Sequence, residues 1–245
     1  MLSKNQIKLI TGLQQKKYRK EHNLFLAEGI KTVQELLNSE FELYHLYTTE
    51  NIFSDVEKNR VTIISPPELE KISALTTPNT CLAVFKIPEL RQVKAEGLVI
   101  ALDDVRDPGN LGTIIRLCDW FGINQLICSE ACADVYNPKV VMATMGSLAR
   151  VNVAYTNLEE FLANTKLPVF GTFMDGDNIY NERLPENGII VMGNEANGIS
   201  AEIEKLCSQR IAIPRFGELQ ATESLNVATA TAIILSEFRR NFSGK

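Results

Sequence analysis

Five polar residues beyond position 97 of this 245-residue chain sit in settings that could hold a reacting group: Asn110, Arg116, Glu195, Ser224 and Asn226. Arg116 belongs to DDVRDPGNLGTIIRLCDWFG, residues 103–122, where an apolar run ends in acids, turns through Pro108 and Gly109 and enters a predicted helix. Flanked there by Ile114, Ile115, Leu117 and Trp120, its guanidinium must snorkel to water or meet an anionic partner. The plainest partner is Asp119 at i+3. Asn110, beside the helix start, is by default a capping or turn residue. Glu195, in GIIVMGNEANGIS, lies where a strand leaves the core, so it is either the N-terminal charge of the next helix or a carboxylate facing a ligand. Ser224 and Asn226 open a long final helix, and Ser224 reads first as its N-cap.

LPVFGTFMDGDNIY adds two glycines, Gly171 and Gly176, around a strand end, which lets backbone amides approach a ligand closely. The chain lacks the G-x-G-x-x-G pattern of dinucleotide binding and the G-K-[ST] of a phosphate loop, so nicotinamide and ATP chemistry lose support. Its two histidines, His22 and His45, both fall early. The second half therefore builds neither a Ser-His-Asp triad nor a histidine-zinc site, and no metal is expected. Five cysteines without a C-x-x-C pair fit reduced, buried thiols; Cys128 and Cys132 sharing a metal is the weaker alternative.

The elements that must carry these residues follow from apolar patterning. LVIALDDV, QLICSE, RVNVAYT, LPVFGTFM, GIIVMGNE and RIAIP each read as a strand buried on both faces, separated by helical stretches. That pattern predicts an α/β unit over residues 98–245, a parallel sheet with helices on both faces, and ligands gather at the carboxyl ends of such strands. The first ninety residues alternate shorter strands (NLFLAEG, ELYHLYTT, VTIIS, TCLAVFKI) with helices near 3–11, 29–38 and 67–74, a small α/β domain over 1–90. Residues 91–97 read as a linker.

Composition sets outer bounds. A hydrophobic fraction of 45% and a charged fraction of 22% are ordinary for a soluble globular protein. No run approaches the roughly 20 apolar residues of a membrane span, and no secretory signal is visible, so the expected location is the cytoplasm. The net charge is −5, which argues against indiscriminate binding to nucleic acid. Residues 1–31 depart from the average, with Lys4, Lys8, Lys16, Lys17, Arg19, Lys20 and Lys31 against Glu21 and Glu28. A solvated helix face accounts for this; equally, Lys16, Lys17, Arg19 and Lys20 suit phosphates and Tyr18 a stacked base, marking these five residues as candidate RNA contacts.

In this order, N-L-G-T-I-I-R at 110–116, M-G-N-E-A-N-G at 192–198, and I-P at 213–214 with S-L-N-V-A at 224–228 resemble the three motifs of the SpoU, or TrmH-like, family of RNA 2′-O-ribose methyltransferases within the SPOUT superfamily. The likeness spans 98–242, and FLAEGIKTVQELL resembles the substrate-binding extension many members carry. It implies a parallel sheet threaded into a deep trefoil knot, S-adenosylmethionine as cofactor, and usually a homodimer with the active site near the interface. It further implies donor contacts from Thr172, Met192, Gly193, Asn194, Gly198, Ile213 and Leu225, and catalytic roles for Arg116, Asn110, Glu195, Ser224 and Asn226. The loop between Ile213 and Ser224 is longer than in several relatives.

Some family schemes make the arginine a proton acceptor. Guanidinium keeps its proton at any ordinary pH, so the expectation is that Arg116 stabilises a developing alkoxide and grips the neighbouring phosphate while the other four residues orient it and the ribose. Ribosomal RNA is preferred as substrate over transfer RNA by analogy of the extension. A catalytically silent RNA-binding protein of the same fold is the alternative, and a flavodoxin-like nucleotide binder lacks its phosphate loops.

Overall fold

The computed structural model describes residues 1–89, 95–217, 219 and 224–240. Residues 91–94 of the expected linker lie outside these. The chain divides into two compact units, 1–90 with 134–150, and 91–133 with 151–245.

The first unit begins with α1 (Lys4–Gly12) and α2 (Lys16–His22), followed by β1 (Leu24–Glu28), α3 (Ile30–Leu37), β2 (Leu43–Thr48), β3 (Val61–Ile63), α4 (Pro66–Ile72) and β4 (Cys81–Lys86). Local chemistry fixes the helix starts. Ser3 and Gln6 form a reciprocal capping box on α1, and Ser65 and Glu68 do so on α4, where Pro66 supplies a first residue that needs no N–H partner. The sheet order is β1-β4-β2-β3, antiparallel except for the β2–β3 pair. Ile10, Leu13, Leu26, Leu69, Ile72 and Leu82 pack together on one side of it.

The second unit opens with β5 (Leu98–Leu102), α5 (Pro108–Trp120) and β6 (Gln125–Ser129). The chain then leaves it for residues 134–150, which contain α6 (Pro138–Ala143) and pack with the first unit against β1. After that come β7 (Asn152–Thr156), α7 (Leu158–Ala163), β8 (Val169–Asn178), β9 (Gly188–Met192), α8 (Ala201–Glu204), β10 (Gln209–Ala212) and α9 (Val227–Arg239). The six strands form one parallel sheet in the order β10-β8-β9-β5-β6-β7. Leu98–Leu102 and Gly188–Met192 are buried along their whole lengths, as central parallel strands must be. Cys118, Cys128 and Cys132 are buried in this unit. A hydrogen bond from the Cys128 thiol holds Cys132 down at about 7 against its burial. Among the described residues no helix is long and apolar enough to cross a membrane.

Within the first unit, both ends of the 134–150 segment are tied by charge. Arg19 is 2% exposed and donates from Nε and Nη2 to Asp134 Oδ2 at 3.2 and 2.6 Å. Its Nη1 reaches the carbonyls of Leu13 and Gln14, both at 2.9 Å, which follow the end of α1 and lack helical partners. At the other end Arg150 Nη1 meets Glu35 Oε2 at 2.5 Å. Arg19 is therefore corrected from an RNA contact to a buried structural cation, because four donor–acceptor pairs consume its guanidinium inside the fold.

Candidate functional site

The carboxyl ends of β8, β9 and β10 and the start of α9 enclose a cavity of about 1400 Å³. Thr172, Met192, Gly193, Asn194, Gly198, Ile213 and Leu225, the residues expected to contact a donor, all line it. The turn after β9 is compact. Asn194 and Gly198 exchange backbone hydrogen bonds at 2.9 Å each way, and Gly198 has φ +70°. A Cβ on Gly193 would sit 2.3 Å from the Gly198 carbonyl carbon, so no larger residue fits there without moving backbone. The Asn194 side chain organises the turn: Oδ1 accepts from the N–H groups of Ala196 (2.9 Å) and Asn197 (3.0 Å), and Nδ2 donates to the Asp104 carbonyl at 2.7 Å.

Three of the expected catalytic residues form a hydrogen-bonded chain. Asn110 Nδ2 donates to Glu195 Oε1 at 2.9 Å, and Asn226 Nδ2 donates to Asn110 Oδ1 at 2.9 Å. Each amide thus donates with its nitrogen and accepts with its oxygen, a self-consistent polarity. Capping duties fall elsewhere than their positions suggest. Asp107 caps α5 by accepting from Asn110 N–H at 2.8 Å, which leaves the Asn110 side chain for Glu195. Asn226, not Ser224, caps α9, its Oδ1 accepting from Ala228 (3.0 Å) and Thr229 (3.2 Å). Glu195 precedes α8 by more than one turn and lines the cavity with Ser224.

Arg116 stands apart. It is exposed and does not line the cavity, so of the two settings its apolar flanks allow it takes the one open to water. Helical rise separates it from Asn110 by about 9 Å along α5. Its apolar neighbours Ile114 and Ile115 face the core, and Arg116 takes the opposite side with Thr113 and Trp120, the latter 84% exposed. On α2, Lys16, Lys17 and Lys20 are exposed, and Tyr18 is half-buried with Lys17 Nζ 5.7 Å from its ring centre.

Glu204 is a cavity residue that sequence reasoning missed, whereas Phe173, Met174 and Phe216 line the cavity from the segments at 171–176 and 213–217 that the family resemblance places around the donor. Residues 172–176 loop out of the β8–β10 pairing, whose register jumps from Arg210↔Gly171 to Ile211↔Asp177. Arg210, paired with Asp175 and Glu204, lies 3.7 Å over the Phe173 ring and fixes that wall. The one available signal was the glycine pair 171 and 176. Gly176 abuts the Ile211 backbone so closely that a Cβ would lie 2.7 Å from it.

The sequence model of the SpoU rRNA Methylase family matches residues 97–236, and that of the MRM3-like substrate binding domain matches residues 4–83. The chain is 31% identical over 246 residues to the 23S rRNA (guanosine(2553)-2′-O)-methyltransferase RlmP of Bacillus subtilis (strain 168), covering 97% of each. Among solved structures, it superposes on a TrmH-family protein from Porphyromonas gingivalis with a TM-score of 0.90 and 41% identity, covering 98% of this chain and 99% of that one. It superposes on an AdoMet-bound rRNA methyltransferase from Sinorhizobium meliloti with a TM-score of 0.88 and 30% identity, covering 100% and 97%.

Proposed function

The chain belongs to the SpoU rRNA methylase family, and from that membership we propose that it methylates a ribose 2′-hydroxyl of ribosomal RNA with S-adenosylmethionine as donor. The observation that carries this is the Asn110–Glu195–Asn226 chain beside the cavity.

The cavity suits the donor. Met192, Ile213, Leu225 and Phe173 offer apolar walls for a purine and a thioether-like chain, Gly193 brings backbone close, and Glu195 supplies negative charge for a cation. Bound there, S-adenosylmethionine supplies an electrophilic methyl group. Thr172, Gly193, Asn194, Gly198, Ile213 and Leu225 hold it. Asn110, Glu195, Ser224 and Asn226 orient the ribose hydroxyl for in-line attack. The knotted threading of this sheet is part of the same reading and rests on membership of the family.

Arg116 acts in this reading as a fixed positive charge on the developing alkoxide and adjacent phosphate. Its exposure beside Trp120 supports a homodimer formed over that flank, in which the Arg116 of one protomer serves the cavity of its partner. The first unit, with Lys16, Lys17, Lys20 and Tyr18, grips the RNA, and the division of binding from chemistry follows the two units, 1–90 with 134–150 and 91–133 with 151–245.

Calorimetric titration with S-adenosylmethionine and transfer of labelled methyl to ribosomal RNA from cells lacking the protein test the reading. Arg116→Ala is expected to cut turnover by at least about 100-fold with donor affinity within about threefold of wild type. A chain indifferent to the donor sinks the proposal, and equal loss of turnover and donor affinity removes Arg116 from its role.

A further inference from the structure

We propose that Asp103, which touches neither cavity nor substrate position, is a positioning residue that sets where the Glu195 carboxylate stands. The inference rests on the methyl-transfer reading and extends it to a residue outside the three family motifs.

Asp103 ends the buried run of β5 and is 7% exposed, a place where a carboxylate is costly unless hydrogen bonded. Its backbone N–H donates to the Met192 carbonyl at 2.9 Å, and its Oδ2 accepts from Ser200 N–H at 2.7 Å. The next residue, Asp104, has φ +59°, in the left-handed region that non-glycine residues rarely occupy. That conformation accompanies two further bonds: Asp104 N–H donates to Ser129 Oγ at 2.9 Å, and the Asp104 carbonyl accepts from Asn194 Nδ2. Residues 103 and 104 therefore hold the 193–200 turn at both shoulders, Asn194 on one side and Ser200 on the other, with Glu195 between.

The same stretch also starts α5. Asp107 caps that helix and Asn110 projects from its first turn to Glu195. Both partners of the Asn110–Glu195 hydrogen bond are thus referenced to one short piece of backbone. The Asp103 carboxylate is the side chain that closes the frame, since without it the Ser200 shoulder has lost its anchor while Asn110 has not moved. Oriented groups lose rate steeply on misplacement, so the effect belongs to turnover and acts through Glu195.

The test uses the full chain and three variants, read by labelled-methyl transfer to ribosomal RNA and by calorimetric donor binding. Asp103→Leu keeps size and loses the acceptor, and is expected to lower kcat by about 100-fold. Asp103→Asn keeps an acceptor oxygen and is expected to restore kcat to within about fivefold of wild type. In a Glu195→Gln background, Asp103→Leu is expected to cost less than about threefold, because residues acting through one another are not additive. Ser200→Pro serves if Asp103→Leu does not fold: the Ser200 φ of −64° suits proline, and the change removes the N–H that Asp103 accepts and puts the ring Cδ in its place, so the carboxylate must leave that position. It is expected to match the Asp103→Leu loss. Full additivity with Glu195→Gln, an Asp103→Asn variant as poor as Asp103→Leu, or a wild-type rate in Ser200→Pro each overturns the assignment. A wild-type chain that neither binds donor nor transfers methyl overturns the underlying reading as well, so the two failures are told apart by the wild-type arm alone.

Discussion

Arg19 satisfies two carbonyls and a carboxylate from a site almost closed to water, so its removal strands Asp134 and the end of α1 together. Breaking a buried pair from one side is expected to cost about 3 kcal/mol, and Arg19→Met should lower the urea midpoint accordingly. An unchanged midpoint would show the pair to be idle. Asn226 separates two duties. Asn226→Ser keeps a cap on α9 and loses the bond to Asn110, whereas Asn226→Ala loses both and should destabilise by about 1 kcal/mol more. Both should lose turnover alike; activity retained in the serine variant would deny the Asn110 link a part in the reaction. Glu28 is buried, and burial raises its pKa above the ordinary 4.5 despite hydrogen bonds from Ser73 and Ala74. The folded chain therefore holds a proton that the unfolded chain releases. Its stabilising contribution is complete below 4.5 and is lost as pH rises through the folded value. Glu28→Gln should flatten that fall in denaturation curves taken from about pH 4 to about pH 7, and a slope equal to that of wild type would contradict it.

Among elements, the turn after β9 is the least forgiving. Gly193→Ala places a methyl 2.3 Å from the Gly198 carbonyl carbon, and the turn must open to admit it. Donor affinity is expected to fall by at least about tenfold, measured by calorimetry, with a Kd equal to wild type as the contrary result. This turn shows why some of the site was legible. The long apolar runs of the second unit read as strands of a parallel sheet, and all six are, four of them inside it and β10 and β7 at its edges. Their ends then had to hold the ligand-facing residues. What could not be read was direction. An arginine among isoleucines looks buried, yet α5 turns it outward, since its two apolar flanks already face the core. A run of lysines around Arg19 looks solvated, yet its guanidinium turns in to the Leu13 and Gln14 carbonyls of the α1–α2 connection. Asp134 lies 115 residues away from it, and no local pattern announces such a partner. β8 continues through polar MDGDN because β10 pairs with its far end, which apolar patterning does not register.

For the molecule as a whole, charge and oligomeric state offer two checks. If Lys16, Lys17 and Lys20 meet phosphates, the triple alanine variant should flatten the plot of log affinity for RNA against log salt by roughly 0.7 per lost contact. A slope equal to wild type would free α2 from RNA binding. Trp120→Glu should convert a dimer to monomers in sedimentation and lower turnover with it; a variant that sediments and turns over as wild type does would remove that flank from the interface. One architectural detail bears on how such proteins can be taken apart. Because residues 134–150 are on loan from the catalytic stretch of the chain to the first unit, a scissile site near residue 90 does not yield two whole pieces. An excised 1–90 fragment would carry Arg19 into its interior with no acid to meet it. Grafting the first unit onto another protein would require transplanting that internal stretch too, a heritage invisible to anyone who cuts genes at linkers.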